Sequence, residues 1–184
     1  MIVQLSILDG GVPEHSRART SSSSTSRCSL LSRWSVLHII PDMGPLQIVL
    51  DTNVLVSSLR SQHGASFRLI SLLGTGAFQI NLSVPLVLEY EEVLRRQKRS
   101  LRLTQTAISD LLDYLCAVAN LHAIHFLWRP TLPDPGDDLL LDLAANADCQ
   151  YIVTYNKRHF KGVETFGVES VTAKELLVII GALS

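Results

Sequence analysis

Leu46-Gln-Ile-Val-Leu-Asp51 is the stretch on which the rest of the chain can be aligned. Its first five residues are mostly apolar and lie between Pro45 and Asp51, which reads as a buried strand. Outward from it, apolar runs at 78–82, 121–126, 151–154 and 168–171 read as four more strands. Helical spacing fills the intervals. Residues 66–73 carry Phe67, Ile70 and Leu73 and stop at Gly74 and Gly76. Pro85 suits a first helical turn, and that helix is expected to run to about residue 96. Thr104 is placed to cap an amphipathic helix over 104–119, and two more helices are expected over 137–147 and 173–180. Strands separated by helices predict an α/β fold, a three-layer αβα sandwich with a central parallel sheet of about five strands. Right-handed crossovers bring every C-terminal strand end to one edge, and ligands of open α/β sheets bind outside that edge.

Several acids fall at that edge. Asp51 ends the first strand, where a carboxylate is costly unless paired, solvated or metal-bound; capping the following helix is its ordinary alternative. Glu89 lies about one and a half turns into the helix after the second strand, within reach of the edge. Glu91 and Glu92 fit a solvated face, whereas Glu89 sits beside Val87 and Leu88. Asp137 and Asp138 open the helix after the third strand, as the helix dipole favours. Asp142 follows Asp138 at i, i+4 on an apolar helix, a repulsive pair that a cation would relieve. Asn156 follows the fourth strand in a Tyr-Asn turn pair, and its amide oxygen is a further oxygen donor. Several carboxylates gathered there would repel one another at neutral pH. Mg²⁺ or Mn²⁺, which prefer oxygen ligands, would relieve that repulsion, and a pair of such ions suits phosphodiester hydrolysis.

Four blocks carry a family resemblance: Ile48-Val-Leu-Asp-Thr-Asn-Val-Leu-Val-Ser-Ser58, Val87-Leu-Glu-Tyr-Glu-Glu-Val-Leu94, Pro133-Asp-Pro-Gly-Asp-Asp-Leu-Leu-Leu-Asp-Leu-Ala144 and Tyr151-Ile-Val-Thr-Tyr-Asn-Lys-Arg-His-Phe160. Asp-Thr-Asn after a strand is weak alone; all four in order, at fitting spacing, are specific. Together they resemble the PIN-domain family, and more closely its bacterial branch of toxin components of toxin–antitoxin pairs. The resemblance extends from Leu46 to the C-terminus. It implies an αβα sandwich and an endoribonuclease that uses Mg²⁺ or Mn²⁺ to cut single-stranded RNA. It carries catalytic and metal-binding roles to Asp51, Glu89 and Asp138, with Asp142 at a position often acidic in this branch. Asn156 stands where many members have Asp, which weakens a second metal site. Thr52 and Asn53 would orient Asp51 through hydroxyl and amide hydrogen bonds, and Thr154 would do likewise beside Asn156. Lys157 and Arg158 become candidates for RNA contact, while His159 reads as a packing or RNA-contact residue rather than a catalyst. The resemblance further implies a cognate antitoxin that blocks the site, and frequent homodimers.

Two competing readings remain. A haloacid-dehalogenase-type phosphatase also begins with Asp after a strand, but uses a second Asp two residues later, where this chain has Asn53. The other is a non-catalytic PIN module that serves as an RNA- or protein-binding scaffold, a reading that Asn156 keeps open.

Bulk properties set the frame. The 184 residues are 47% hydrophobic and 18% charged, with a formal net charge of −1, so any basic footprint must be local. The densest cationic stretch is Arg95, Arg96, Lys98, Arg99 and Arg102, read as a basic turn between helices that tracks a phosphate backbone or is simply solvated. Cys28, Cys116 and Cys149 match no zinc or redox spacing, which points to a reducing, cytoplasmic setting. No apolar run is long enough for a membrane span of about 18 residues. Residues 1–42 form a Ser/Arg-rich extension, with Ser21 to Ser24 uninterrupted, that buries too little apolar surface to order itself. It fits an organelle transit peptide, a basic RNA-touching arm, or an upstream start preceding a natural one at Met43; the last is favoured, because Met43-Gly-Pro-Leu-Gln opens directly into the strand. The expected domain is therefore 43–184.

Overall fold

A computed structural model of the chain describes residues 44–124, 132 and 134–183. The extension expected over 1–42 and the end of the third expected strand, 125–126, lie outside the described residues. Five strands form one parallel sheet: β1 (Leu46–Leu50), β2 (Phe78–Ser83), β3 (Asn120–His122), β4 (Tyr151–Val153) and β5 (Glu169–Val171), in the order β3-β2-β1-β4-β5. Consecutive residues Ile48, Val49 and Leu50 are all buried, so β1 is covered on both faces, as a central parallel strand must be. Six α-helices complete the αβα architecture among the described residues: α1 (Thr52–Arg60), α2 (Ala65–Ser71), α3 (Val84–Leu101), α4 (Gln105–Val118), α5 (Pro135–Asn146) and α6 (Ala173–Ile179).

Local chemistry explains most boundaries. Thr104 caps α4 by accepting from the Ala107 amide at 3.0 Å. Thr172 and Glu175 form a reciprocal capping box on α6. Helix α3 is longer than its sequence pattern suggests. It runs through Leu101 and ends only at Arg102, whose backbone is left-handed (φ 53°). The stretch from Arg95 to Arg99 is therefore helical rather than a basic turn, and Glu91 pairs with Arg95 one turn on, at 2.7 Å. Helix α5 begins earlier than expected: Asp134 is its cap, accepting from the Gly136 amide at 3.0 Å, and Pro135 occupies the first turn.

From β1 the chain moves outward to β2 and β3, then crosses back to β4 beside β1. The order thus reverses between β1 and β4, a switch point of the kind that opens a crevice at the carboxyl ends of the strands. Asp51 leaves β1 and Thr154 leaves β4 at that crevice, with the Asp51 amide bonded to the Val153 carbonyl at 2.9 Å.

Candidate active site

A cavity of about 590 Å³ opens at this edge, and its carboxylates come from Asp51, Glu89, Asp134 and Asp137, with Glu92 farther along α3. Asp51 is the cap of α1 and the best-held of them. Its Oδ1 accepts from the Asn53 amide at 3.0 Å, and its Oδ2 accepts from Asn53 Nδ2 at 2.6 Å and from Thr154 Oγ1 at 2.5 Å. Capping and a place in the cavity, alternatives in the sequence, are thus both true of one side chain. Burial pushes the Asp51 carboxyl above its ordinary value, and the charge of Asp137 adds to the rise. The hydrogen bonds from Thr154 and Asn53 pull the other way.

Glu89 points into the same space from α3. Its Oε1 accepts from Thr52 Oγ1 at 2.6 Å. Burial raises its carboxyl, and Asp51, Asp134 and Asp137 reinforce the shift. Asp137 completes the group from α5. Its Oδ2 lies 2.9 Å from His159 Nδ1. Burial raises this carboxyl too, opposed by His159. Beneath the site, the fully buried Tyr90 hydroxyl donates to the Leu50 carbonyl, next to Asp51.

Most predicted positions meet here, and some do not. Asp51, Thr52, Asn53, Glu89 and Asn156 line the cavity. Thr154 is buried behind Asp51 and also accepts from the Asn156 amide at 2.9 Å. Thr52 holds Glu89 rather than Asp51, because its hydroxyl projects from the first turn of α1 toward α3. Asp138 and Asp142 are not among the cavity residues. Asp138 Oδ1 accepts from the Leu132 amide at 2.9 Å, and Asp142 is buried one turn farther along α5. The reason is helical phase: Asp138 and Asp142 share one face, whereas the face lining the cavity carries Asp137 and Leu140. Lys157 is drawn away by a bidentate contact with Glu175, both distances 3.0 Å, while Arg158 is exposed.

Three features escaped the sequence reading: Asp137 as the inward acid, His159 as its partner, and Arg60 and Arg96 on the cavity wall. The first had a signal. Asp137 stands three, four and seven residues before Leu140, Leu141 and Ala144, which are all buried, so it shares the inward apolar face of α5. The other two depend on contacts across the fold.

Among the described residues, no three His, Cys, Asp or Glu side chains already form a closed metal-binding group. The donor chemistry nevertheless suits a hard divalent cation, since Asp51, Glu89 and Asp137 supply carboxylate oxygens that repel one another in a shared cavity. Asn53 Nδ2 donates to Asp51, so the position two residues after it is committed to holding that carboxylate, not to acid–base work.

The sequence profile of the PIN domain matches residues 47–158, more than half of the chain. VapBC2 from Rickettsia felis, solved bound to a DNA fragment from their promoter, has a chain of similar fold, with a TM-score of 0.50 and 14% identity over 69% of this chain and 98% of that one. No curated protein matches the sequence.

Proposed function

The chain belongs to the PIN domain family, and from that premise we propose that it is a divalent-metal-dependent endoribonuclease acting on single-stranded RNA, the toxin of a toxin–antitoxin pair. PIN domains generally use divalent metal ions. The observation that carries the reading is the convergence of Asp51, Glu89 and Asp137 from three elements on one cavity at the sheet's switch point. Buried carboxylates with raised pKa values, sensing one another's charge, are a costly arrangement that a cation offsets. These three would hold Mg²⁺ or Mn²⁺, with the Asn156 amide beside them. Bound there, the ion supplies Lewis-acid stabilisation of a phosphoryl group and lowers the pKa of water.

The chain's own residues fix the geometry. Asn53 and Thr154 lock both oxygens of Asp51, Thr52 locks Glu89, and His159 locks Asp137, so the carboxylates are oriented before substrate arrives. Phosphate positions beside them are reached from solvent, because the cavity is open. No helix among the described residues is long and apolar enough to cross a membrane, and the toxin reading places the protein in the cytoplasm. The likeness to a chain of VapBC2 supports the fold of such a toxin; a cognate antitoxin and a homodimer belong to this proposal as its partners.

Incubating the purified chain with a mixed single-stranded RNA pool, in Mn²⁺, Mg²⁺ or chelator, tests the reading. Internal cleavage that needs metal and is lost in Asp51→Asn is expected. Intact RNA in every condition, with no Mn²⁺-dependent thermal stabilisation, would leave the scaffold role instead.

A further inference from the structure

The cavity has a second, cationic wall. Arg60, the last residue of α1, and Arg96, on α3, line the same cavity as Asp51 and Glu89. At the rise of an α-helix, Arg60 lies about 12 Å along α1 from Thr52, and Arg96 about 10 Å along α3 from Glu89. The two arginines therefore sit together at the end of the cavity away from the carboxylate cluster. Arg60 Nη2 donates to Gln97 Oε1 at 2.6 Å, a neutral partner that orients the guanidinium without cancelling its charge. Arg96 reaches Glu92 only at 3.9 Å, with its side chain 66% exposed. The neighbouring Arg95, by contrast, is closed on Glu91 at 2.7 Å and does not line the cavity.

We infer that Arg60 and Arg96 form a subsite for a backbone phosphate other than the one cleaved, so that the cavity takes a polynucleotide chain rather than a mononucleotide or a phosphomonoester. A ligand with one phosphate can sit at the carboxylate end or at the arginine end, but it cannot span both. A chain with successive phosphates can. Guanidinium groups suit the task, since their planar fork pairs with two phosphate oxygens at once. This subsite rests on the nuclease reading for the chemistry at the far end, while its own evidence is the arginine wall.

The test compares wild type, Arg60→Gln/Arg96→Gln and the control Arg95→Gln on a single-stranded RNA 12-mer and on a dinucleoside monophosphate, in Mn²⁺. Anisotropy of the labelled 12-mer in Ca²⁺ gives binding separately. All replaced side chains are at the surface, and thermal melts confirm that the variants are folded. For the double variant we expect KM on the 12-mer to rise about tenfold or more with kcat within about twofold, and binding to weaken in parallel. The slope of log K against log salt should fall by about 0.7, the value for one single-strand phosphate contact. Turnover of the dinucleoside monophosphate, and every value for Arg95→Gln, should stay at the wild-type level. A 12-mer KM and salt slope equal to wild type, or an equal loss on both substrates, overturns the subsite and leaves the nuclease reading standing. If wild type cleaves neither substrate, the nuclease reading falls, and binding decides the subsite: weakened 12-mer binding in the double variant supports it, and unchanged or absent binding overturns it.

Discussion

Replacing Asp137 and Asp138 separately gives the sharpest test of the site, because the two neighbours face different surroundings. Asp137 lines the cavity with its side chain 11% exposed and its Oδ2 against His159. Asn in its place keeps an oxygen for the imidazole and removes the charge that Asp134 and Asp138 repel. Its stability should therefore stay within about 1 kcal/mol of wild type, the scale of one hydrogen bond. Asp138→Ala removes the acceptor of the Leu132 amide and should cost about 1 kcal/mol or more. Activity should divide the other way. Losing an outer-shell partner of a metal typically costs about 10–100-fold, so losing a ligand should exceed about 100-fold. Asp137→Asn is expected to pass that mark in kcat/KM, and Asp138→Ala to stay within about tenfold. Metal linkage adds a second scale: at about 100 times Kd, Mn²⁺ stabilises a folded protein by about 2.7 kcal/mol. Wild type and Asp138→Ala should show that gain in Tm, and Asp137→Asn should lose most of it. Initial rates on single-stranded RNA over a Mn²⁺ titration, with melts in parallel, measure both. Cleavage abolished in Asp138→Ala but retained in Asp137→Asn would refute the assignment and return the role to Asp138.

The remaining expectations concern stability and reactivity. Asp51, Glu89 and Asp137 all have raised carboxyl pKa values, so the native state holds their protons more tightly than the unfolded chain does. Their contribution to metal-free stability should fall as pH rises from the ordinary carboxylate value through the raised native one, then level off. Denaturant titrations in chelator from pH 4 to 8 should show Asp51→Asn lacking part of that fall; identical profiles for mutant and wild type would remove burial as the cause. Glu175 has the opposite sign. Its lowered pKa, from the Thr172 amide and Lys157, gives stability above the ordinary value that is lost as pH drops through the native one, a small effect at an exposed site that Glu175→Gln should flatten. Thr154→Val takes the 2.5 Å hydrogen bond from Asp51 in a fully buried setting and should cost about 1–3 kcal/mol in denaturant unfolding. Burial pushes the Cys149 thiol up to about 12, so a thiol reagent followed by mass spectrometry should modify it only after unfolding.

What could be read from the chain alone follows the range of the interactions involved. Asp51 was legible because a carboxylate directly after a buried apolar run has few inexpensive roles, and Ile48, Val49 and Leu50 are indeed all buried. Glu89 was legible from its apolar flanks, and the parallel sheet from the alternation of strands and helices. The α5 acids needed helical phase, and one residue of error in phase turns a side chain by roughly 100° about the axis. The i, i+4 pairing with Asp142 and the family resemblance favoured Asp138, whereas the spacing of Asp137 to the buried Leu140, Leu141 and Ala144 turns Asp137 to the cavity. The partner bonds lay further out of reach. Thr52–Glu89 joins α1 to α3, Thr154–Asp51 joins the end of β4 to the end of β1, and His159–Asp137 joins the turn after β4 to α5. Two of these three need β4 beside β1, although about a hundred residues separate those strands in sequence. The carboxylates themselves come from local sequence, but the Thr154 and His159 bonds that help to orient Asp51 and Asp137 depend on the strand order. A change that loosens the β1–β4 pairing should therefore remove the Thr154 bond to Asp51 and the His159 bond to Asp137 together, while leaving the Asn53 hold on Asp51 and the Thr52 hold on Glu89 in place.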